Sequence, residues 1–232
     1  MNKLFVPVFV AVYLIIAAVS CKKPKPEQSV KYFTVTNFNQ IEASGLLDIQ
    51  VIRSQSFSVK AEGEGIDISS LKVEVKNGKL IIGYGNLQLK GAVKITVAMP
   101  QLDAFYFNNR VKAIISGFAQ VSEVEGELRN YSTATVQMNV SQYTVEAIEH
   151  SELILRGQAE KVYAAAENNS SVNAYSVASV FGRALANKNS TVKINVSNTL
   201  NASATERSTI YFKGNPQNRF TSELDNSKII EE

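Results

Sequence analysis

Four kinds of residue in this chain could do chemistry: the single cysteine Cys21, the single histidine His150, a series of serines from Ser132 onward, and scattered carboxylates. A structural zinc site wants about four Cys or His ligands and a disulfide wants two cysteines, so one of each removes both. A Ser-His-acid hydrolase would have to rest on His150 alone. In Glu149-His150-Ser151 that histidine falls at a turn and reads as an exposed corner residue. Enzymes that cleave polysaccharides on β-helical scaffolds use clustered acids for calcium binding or paired acid/base work. Beyond residue 103 the only aspartate is Asp225, and Glu146, Glu149, Glu152, Glu160 and Glu167 fall mostly at turns or outward positions, with no shared repeat column. Catalytic residues, cofactors and metal are therefore all read as none.

Cys21 has a different use. Met1-Asn2-Lys3 gives a short basic start, Leu4 to Ala17 an apolar run, and Ala18-Val19-Ser20 small residues before the cysteine. This resembles the bacterial lipobox, which implies lipidation of Cys21 and loss of residues 1–20 as a signal peptide. The competing reading is a membrane span, for which the 17 residues Leu4 to Ser20 are borderline against a hydrocarbon core of about 30 Å. Several acyl chains on one residue hold a membrane stably where one does not. Residues 21–31, with Pro24, Pro26 and no apolar period, read as an extended tether. Lys22 stands where many inner-membrane lipoproteins carry Asp, so the resemblance implies an outer-membrane lipoprotein, periplasmic or surface-exposed.

Charge supports the division. The 232 residues carry 24 Lys+Arg and 21 Asp+Glu, a net charge of +3, of which Lys3 is the only contribution from residues 1–20. Lys22, Lys23, Lys25 and Lys31 against Glu27 leave the remainder slightly acidic, which gives no face for nucleic acid. With 45% hydrophobic and 19% charged residues the chain is globular.

The elements that must position any site are strands. Leu47, Ile49 and Val51 alternate with polar residues, as do Val93, Ile95 and Val97; Asn77-Gly78 marks a hairpin, and Ile66 to Leu71 allows one helical turn. From residue 104 the chain repeats. Ser132, Ser151, Ser170, Ser190, Ser208 and Ser227 stand 19, 19, 20, 18 and 19 residues apart. Two residues after them come Ala134, Leu153, Val172, Val192, Ile210 and Ile229; four after come Val136, Leu155, Ala174, Ile194 and Phe212. Four before lie Ala147, Ala166, Ala186 and Ala204, and six before lie Val145, Ala164, Ala184 and Ala202. These are inward columns of two strands per repeat, joined by a turn, with one column set large and the other small.

One repeat cannot bury its apolar side alone, but stacked repeats can, about 4.8 Å apart. The fold class is therefore all-β: a parallel β-helix or solenoid of about 19-residue coils, right-handed because β-crossovers almost always are. Its expected extent is 104–232, preceded by an N-terminal β segment over 32–103. The serines are expected to cap backbone groups at each corner.

At these residues the chain resembles the head GIN-domain auto-transporter adhesin family of Gram-negative bacteria. The family's Pro-Xaa-Leu phrase is matched by Pro100-Gln101-Leu102, its Ser-containing repeats by the six above, and its Tyr-x-Gly-x-Pro resembles Tyr211-Phe212-Lys213-Gly214-Asn215-Pro216. The resemblance covers 33–230 as one continuous domain and implies a pectin-lyase-like solenoid with an adhesive role. One departure stands out: the family's turn glycine is replaced by Tyr131, His150, Asn169, Asn189, Arg207 and Asn226. Asn tolerates positive φ, whereas Tyr, His and Arg do so less readily, which predicts a different or wider turn at those coils.

Outward strand positions would then form the working surface: Thr135, Gln137, Asn139, Asn173, Tyr175, Lys193, Asn195 and Tyr211. Amides beside aromatic rings suit sugar hydroxyls and C–H faces. The expected function is a non-enzymatic, lipid-anchored binding or adhesion module facing a glycan or surface protein. A structural or assembly component of the outer membrane is the alternative, with a polysaccharide-acting enzyme behind it. Oligomeric state is not written in the sequence.

Overall fold

The computed structural model describes residues 28–84 and 91–232. The expected signal peptide, Cys21 and the expected tether up to residue 27 lie outside the described residues. The elements in chain order are β1 (Gln28–Phe33), β2 (Gln40–Ser44), β3 (Leu47–Arg53), β4 (Ser58–Glu64), α1 (Gly65–Ser70), β5 (Leu71–Lys76), β6 (Lys79–Tyr84), β7 (Val93–Met99) and β8 (Ala104–Asn108). There follow β9 (Lys112–Leu128), β10 (Thr133–Ile148), β11 (Glu152–Glu167), β12 (Ser171–Asn187), β13 (Thr191–Ala204), β14 (Thr209–Lys213), β15 (Asn218–Glu223) and β16 (Lys228–Glu231). The chain makes a β-solenoid of about seven turns.

Where two short strands and a turn were expected in each repeat, β9 to β12 run 16 or 17 residues without a break. Each bends midway, where the register slips between Gln137 and Asn139, Ile154 and Arg156, or Ala174 and Ala178. A bulge leaves its extra residues unpaired without ending the strand, so the chain turns from one wall to the other and the ladder resumes beyond the bend. Neighbouring coils pair in parallel, Thr133 with Glu152, Ser171 and Thr191 in sequence.

The inward columns are as the spacing requires. Ala134, Leu153, Val172, Val192 and Ile210 form one buried row on the first wall. Ala147, Ala166, Ala186 and Ala204 form another on the second, continued toward the N-terminus by Leu128 and Phe107. The larger side chains at that end need room. A Cβ on Gly126 would lie 2.1 Å from the Phe105 ring, so only glycine fits beside it.

The corners keep one geometry throughout. The two residues before each serine both have left-handed φ, including Tyr131 (64°), His150 (64°) and Arg207 (63°), so the different or wider turn expected from the missing glycines does not occur. Stacking compensates the conformational cost: Tyr131 N–H donates to the Glu149 carbonyl at 2.9 Å, His150 N–H to Asn168 at 3.0 Å and Asn169 N–H to Lys188 at 2.9 Å. Among the described residues only Ser190 Oγ, of the repeat serines, bonds its own corner, donating to the Lys188 carbonyl at 3.4 Å; otherwise the hydroxyls from Ser151 onward serve the neighbouring coil. Ser132, Ser151, Ser170, Ser190 and Ser208 each donate their amide N–H to the Oγ of the next serine, at 3.1 to 3.3 Å.

The N-terminal segment merges with this stack. On the first wall the order is β1-β4-β7-β3-β9, and on the second β5-β6-β2-β8-β9, so β2 and β3 lie inside the later β6 and β7. The β1, β4 and β5 strands pair antiparallel and close that end. The tether expected to reach residue 31 gives way to strand at Gln28, because β4 offers β1 an open edge. Among the described residues no helix is long and apolar enough to cross a membrane.

Candidate binding face

Side chains that alternate outward on the first wall build the candidate face. Cα pairing sets Thr135, Ile154, Asn173, Lys193 and Tyr211 in one row across five coils. Gln137 lies in the adjoining row beside Arg156. Four of the eight expected residues, Thr135, Asn173, Lys193 and Tyr211, thus share a single row, and Tyr175 stands beside it on an irregular stretch of β12. The remaining two, Asn139 and Asn195, sit at the bend and serve the backbone: Asn139 Oδ1 accepts from Gln158 N–H at 3.1 Å, and Asn195 Nδ2 donates to the Tyr175 carbonyl at 3.4 Å.

The tyrosines are not bare rings. Lys193 Nζ lies 5.4 Å from the Tyr175 ring centre and 5.0 Å from that of Tyr211, while Lys213 Nζ lies 5.0 Å from Tyr175. Ammonium groups at this range are held by the ring quadrupole. The Tyr175 hydroxyl donates to Glu232 at 2.9 Å. Burial, with that hydrogen bond and the Glu232 charge, pushes its phenol well above the ordinary tyrosine value, so it stays a donor. The cluster is a basic-aromatic platform whose cations are supplied by the chain itself.

A groove of about 670 Å³ opens on the same wall nearer the N-terminus. Thr133 and Thr135 line it, with Lys112 and Ile114 from the coil before and Glu152 and Ile154 from the coil after. Of these six only Thr135 belongs to the expected set. At the corner of the same coils the Tyr131 and His150 rings stack, 4.8 Å apart and 6° from parallel, with the Arg110 guanidinium 5.8 Å from the Tyr131 ring centre.

The second wall corrects one expectation. Glu127 and Glu146 are register partners, so two carboxylates do share a column there. Burial raises the Glu146 carboxyl above its ordinary value, the Glu127 charge adds to this and Arg129 opposes it, with Glu167 adding again. Both glutamates stand five residues before a repeat serine, Ser132 and Ser151, so the 19-residue spacing already carried the pair. Among the described residues no group of three or more His, Cys, Asp or Glu is placed to hold a metal ion.

The family model described as "putative auto-transporter adhesin, head GIN domain" matches residues 37–216. A "putative adhesin" from Bacteroides fragilis NCTC 9343 superposes with a TM-score of 0.80 at 17% identity, covering 90% of this chain and 99% of its own. A second, from Parabacteroides distasonis ATCC 8503, gives 0.74 at 12% identity, with coverage of 89% and 98%. A "putative lipid binding protein" from the same organism gives 0.67 at 14%, with coverage of 88% and 96%. At these identities the likeness is one of fold. No curated protein matches the chain in sequence.

Proposed function

Since the chain belongs to the head GIN domain family of auto-transporter adhesins, we propose that it is a non-catalytic adhesion module, held on the outer membrane by lipid at Cys21, that presents its first wall to glycans or surface proteins. The observation that carries this reading is the outward row Thr135, Ile154, Asn173, Lys193 and Tyr211: polar, cationic and aromatic side chains held in register by parallel pairing. Many weak contacts along such a row, multiplied by many copies on a membrane, give avidity without any strong single site. Family membership supports a cell-envelope or surface location, and the apolar run ending at Ala18-Val19-Ser20-Cys21 supports the lipid.

The test has two parts. Intact mass of the native protein should give a chain starting at an acylated Cys21; one starting at Met1 with a free thiol overturns the anchor. The full-length protein in detergent should bind cells or arrayed glycans, and the Tyr175→Ser/Tyr211→Ser variant should bind at least threefold more weakly with its unfolding midpoint nearly unchanged. Turnover of a polysaccharide that depends on particular carboxylates would overturn the non-catalytic reading. Binding to neither glycans nor envelope proteins would favour an assembly role in the outer membrane instead.

A further inference from the structure

Three consecutive coils place non-glycine, non-asparagine side chains at the second corner position: Arg110, Tyr131 and His150, with φ of 68°, 64° and 64°. A bulky residue there is strained, and strain that the fold does not need is a pointer to function. The fold does not need it, because Asn169, Asn189 and Asn226 occupy the equivalent position in other coils with the same backbone, and of the four bulkier corner residues only Arg207 stands outside this consecutive run. What the strained residues add is an exposed flat surface: Tyr131 is 55% exposed, and its stack with His150 holds the ring steady.

Two residues further along the same coils lies the 670 Å³ groove. Its lining runs across five adjacent strands, from Lys94 and Asp48 through Lys112 and Thr133 to Glu152, four strand spacings or about 19 Å, which gives room for an extended chain laid across the coils. Lys112 and Glu152 bring charges of opposite sign, and Asp48 is the direct register partner of Lys112. Among the described residues none of these three forms an ion pair. Elsewhere on the surface neighbouring charges do close, Lys79 on Glu42 at 3.1 Å and Lys188 on Glu167 at 2.7 Å. The groove therefore keeps donors and acceptors open beside hydroxyls, between the apolar ridges Ile114 and Ile154.

We propose that this groove, with Tyr131 at its end, is a binding site for an uncharged oligosaccharide. Sugar hydroxyls both donate and accept, which matches Lys112, Glu152 and the two threonines together, and sugar C–H faces lie on isoleucine ridges and on an exposed ring. A charged polymer would satisfy one sign of side chain and oppose the other. The assignment rests on the adhesion reading above and moves its principal contact from the tyrosine-lysine platform to the coils at 110–116, 131–137 and 150–156.

The test uses the full-length chain in detergent on an array of neutral glucan, mannan, galactan and xylan oligosaccharides. Wild type should bind, with less than threefold change between 50 and 500 mM NaCl. Tyr131→Gly should lose at least tenfold, more than the Tyr175→Ser/Tyr211→Ser variant loses, while its unfolding midpoint stays or rises because glycine relaxes the corner. Glu152→Gln and Lys112→Gln should each lose at least threefold. Loss confined to the Tyr175/Tyr211 variant, or glycan binding indifferent to all of these changes, overturns the groove and leaves the adhesion reading standing. Binding to envelope proteins but no saccharide does the same. Binding to neither overturns both.

Discussion

Arg219 and Glu231 meet in a two-pronged contact, Nη1 to Oε2 at 2.6 Å and Nη2 to Oε1 at 2.8 Å, at the last coil of the solenoid. They occupy the columns that carry Leu200 and Phe212 one coil earlier. In the coils before, the same two columns carry Val162 and Gly182, and Ala174 and Ile194, so this pair marks where the apolar columns stop. Arg219 also lies 5.2 Å from the Phe212 ring centre and donates to the Pro216 carbonyl at 3.1 Å, covering the last apolar layer with a charged side chain. Solenoids need such a polar terminal layer, because an exposed apolar end and open sheet edges invite another chain.

Replacing both Arg219 and Glu231 with Leu should therefore make the protein self-associate, since β15 and β16 would present an apolar layer and free strand edges together. Light scattering across a concentration series checks this. Arg219→Ala alone should cost about 0.5–1 kcal/mol, a modest figure because the two side chains are 36% and 46% exposed and water screens the pair. If the double variant scatters as wild type does, the pair is not what closes the core.

The difference between what the sequence conveys and what it hides follows the period of the interactions. Leu153, Val172 and Val192 recur at fixed distance from a serine and face inward in every coil, so the fold could be read from spacing. Lys193 and Tyr211 were legible for the same reason. Asn139 and Asn195 were not, because their bonds to Gln158 N–H and to the Tyr175 carbonyl depend on a bulge whose slip no count of residues reveals. Asp48 and Lys112 are adjacent in space but 64 residues apart, joined only through the inserted order β7-β3-β9. The one visible clue to the groove was the departure at Tyr131 and His150, residues that a left-handed corner disfavours.

The serine ladder predicts unequal effects from equal substitutions. Ser170→Ala removes the acceptor of the Ser151 amide and leaves a buried N–H unpaired, at about 1–3 kcal/mol. Ser132→Ala should change stability by less than about 0.5 kcal/mol, since the Ser132 Oγ is buried and has no partner among the described residues. Denaturant melts of the two variants decide it, and equal losses would mean that the serines matter only for size.

Packing gives a second contrast. Ala166 faces the interior between Ala147 and Ala186, and Ala166→Leu should overpack the thin core at a cost of about 1–3 kcal/mol. Val192→Ala, on the opposite wall, leaves a cavity and should cost about 1–3 kcal/mol as well. Melts of both variants at the wild-type midpoint would refute the assignment of the columns.

Glu146 supplies a pH signature. Its carboxyl is raised in the folded state by burial first and by the Glu127 charge second, so the folded protein holds that proton more tightly than the unfolded chain does. The resulting stabilisation is fully present below the unfolded value and is lost as pH rises through the folded one. Once ionised beside Glu127, whose charge is one of the causes of the rise, Glu146 opposes folding. Glu146→Gln keeps the shape and removes the charge, so it should raise the thermal midpoint at pH 7. The rise should be about 1 °C, because the group is only partly buried and 1 kcal/mol moves a domain of this size by about 2–4 °C. By pH 3, where the native carboxyl is protonated, the advantage should vanish. Thermal melts at half-unit steps from pH 3 to pH 7 test this, and a difference that stays constant across the range would show that Gln acts by packing and not by removing the like charge.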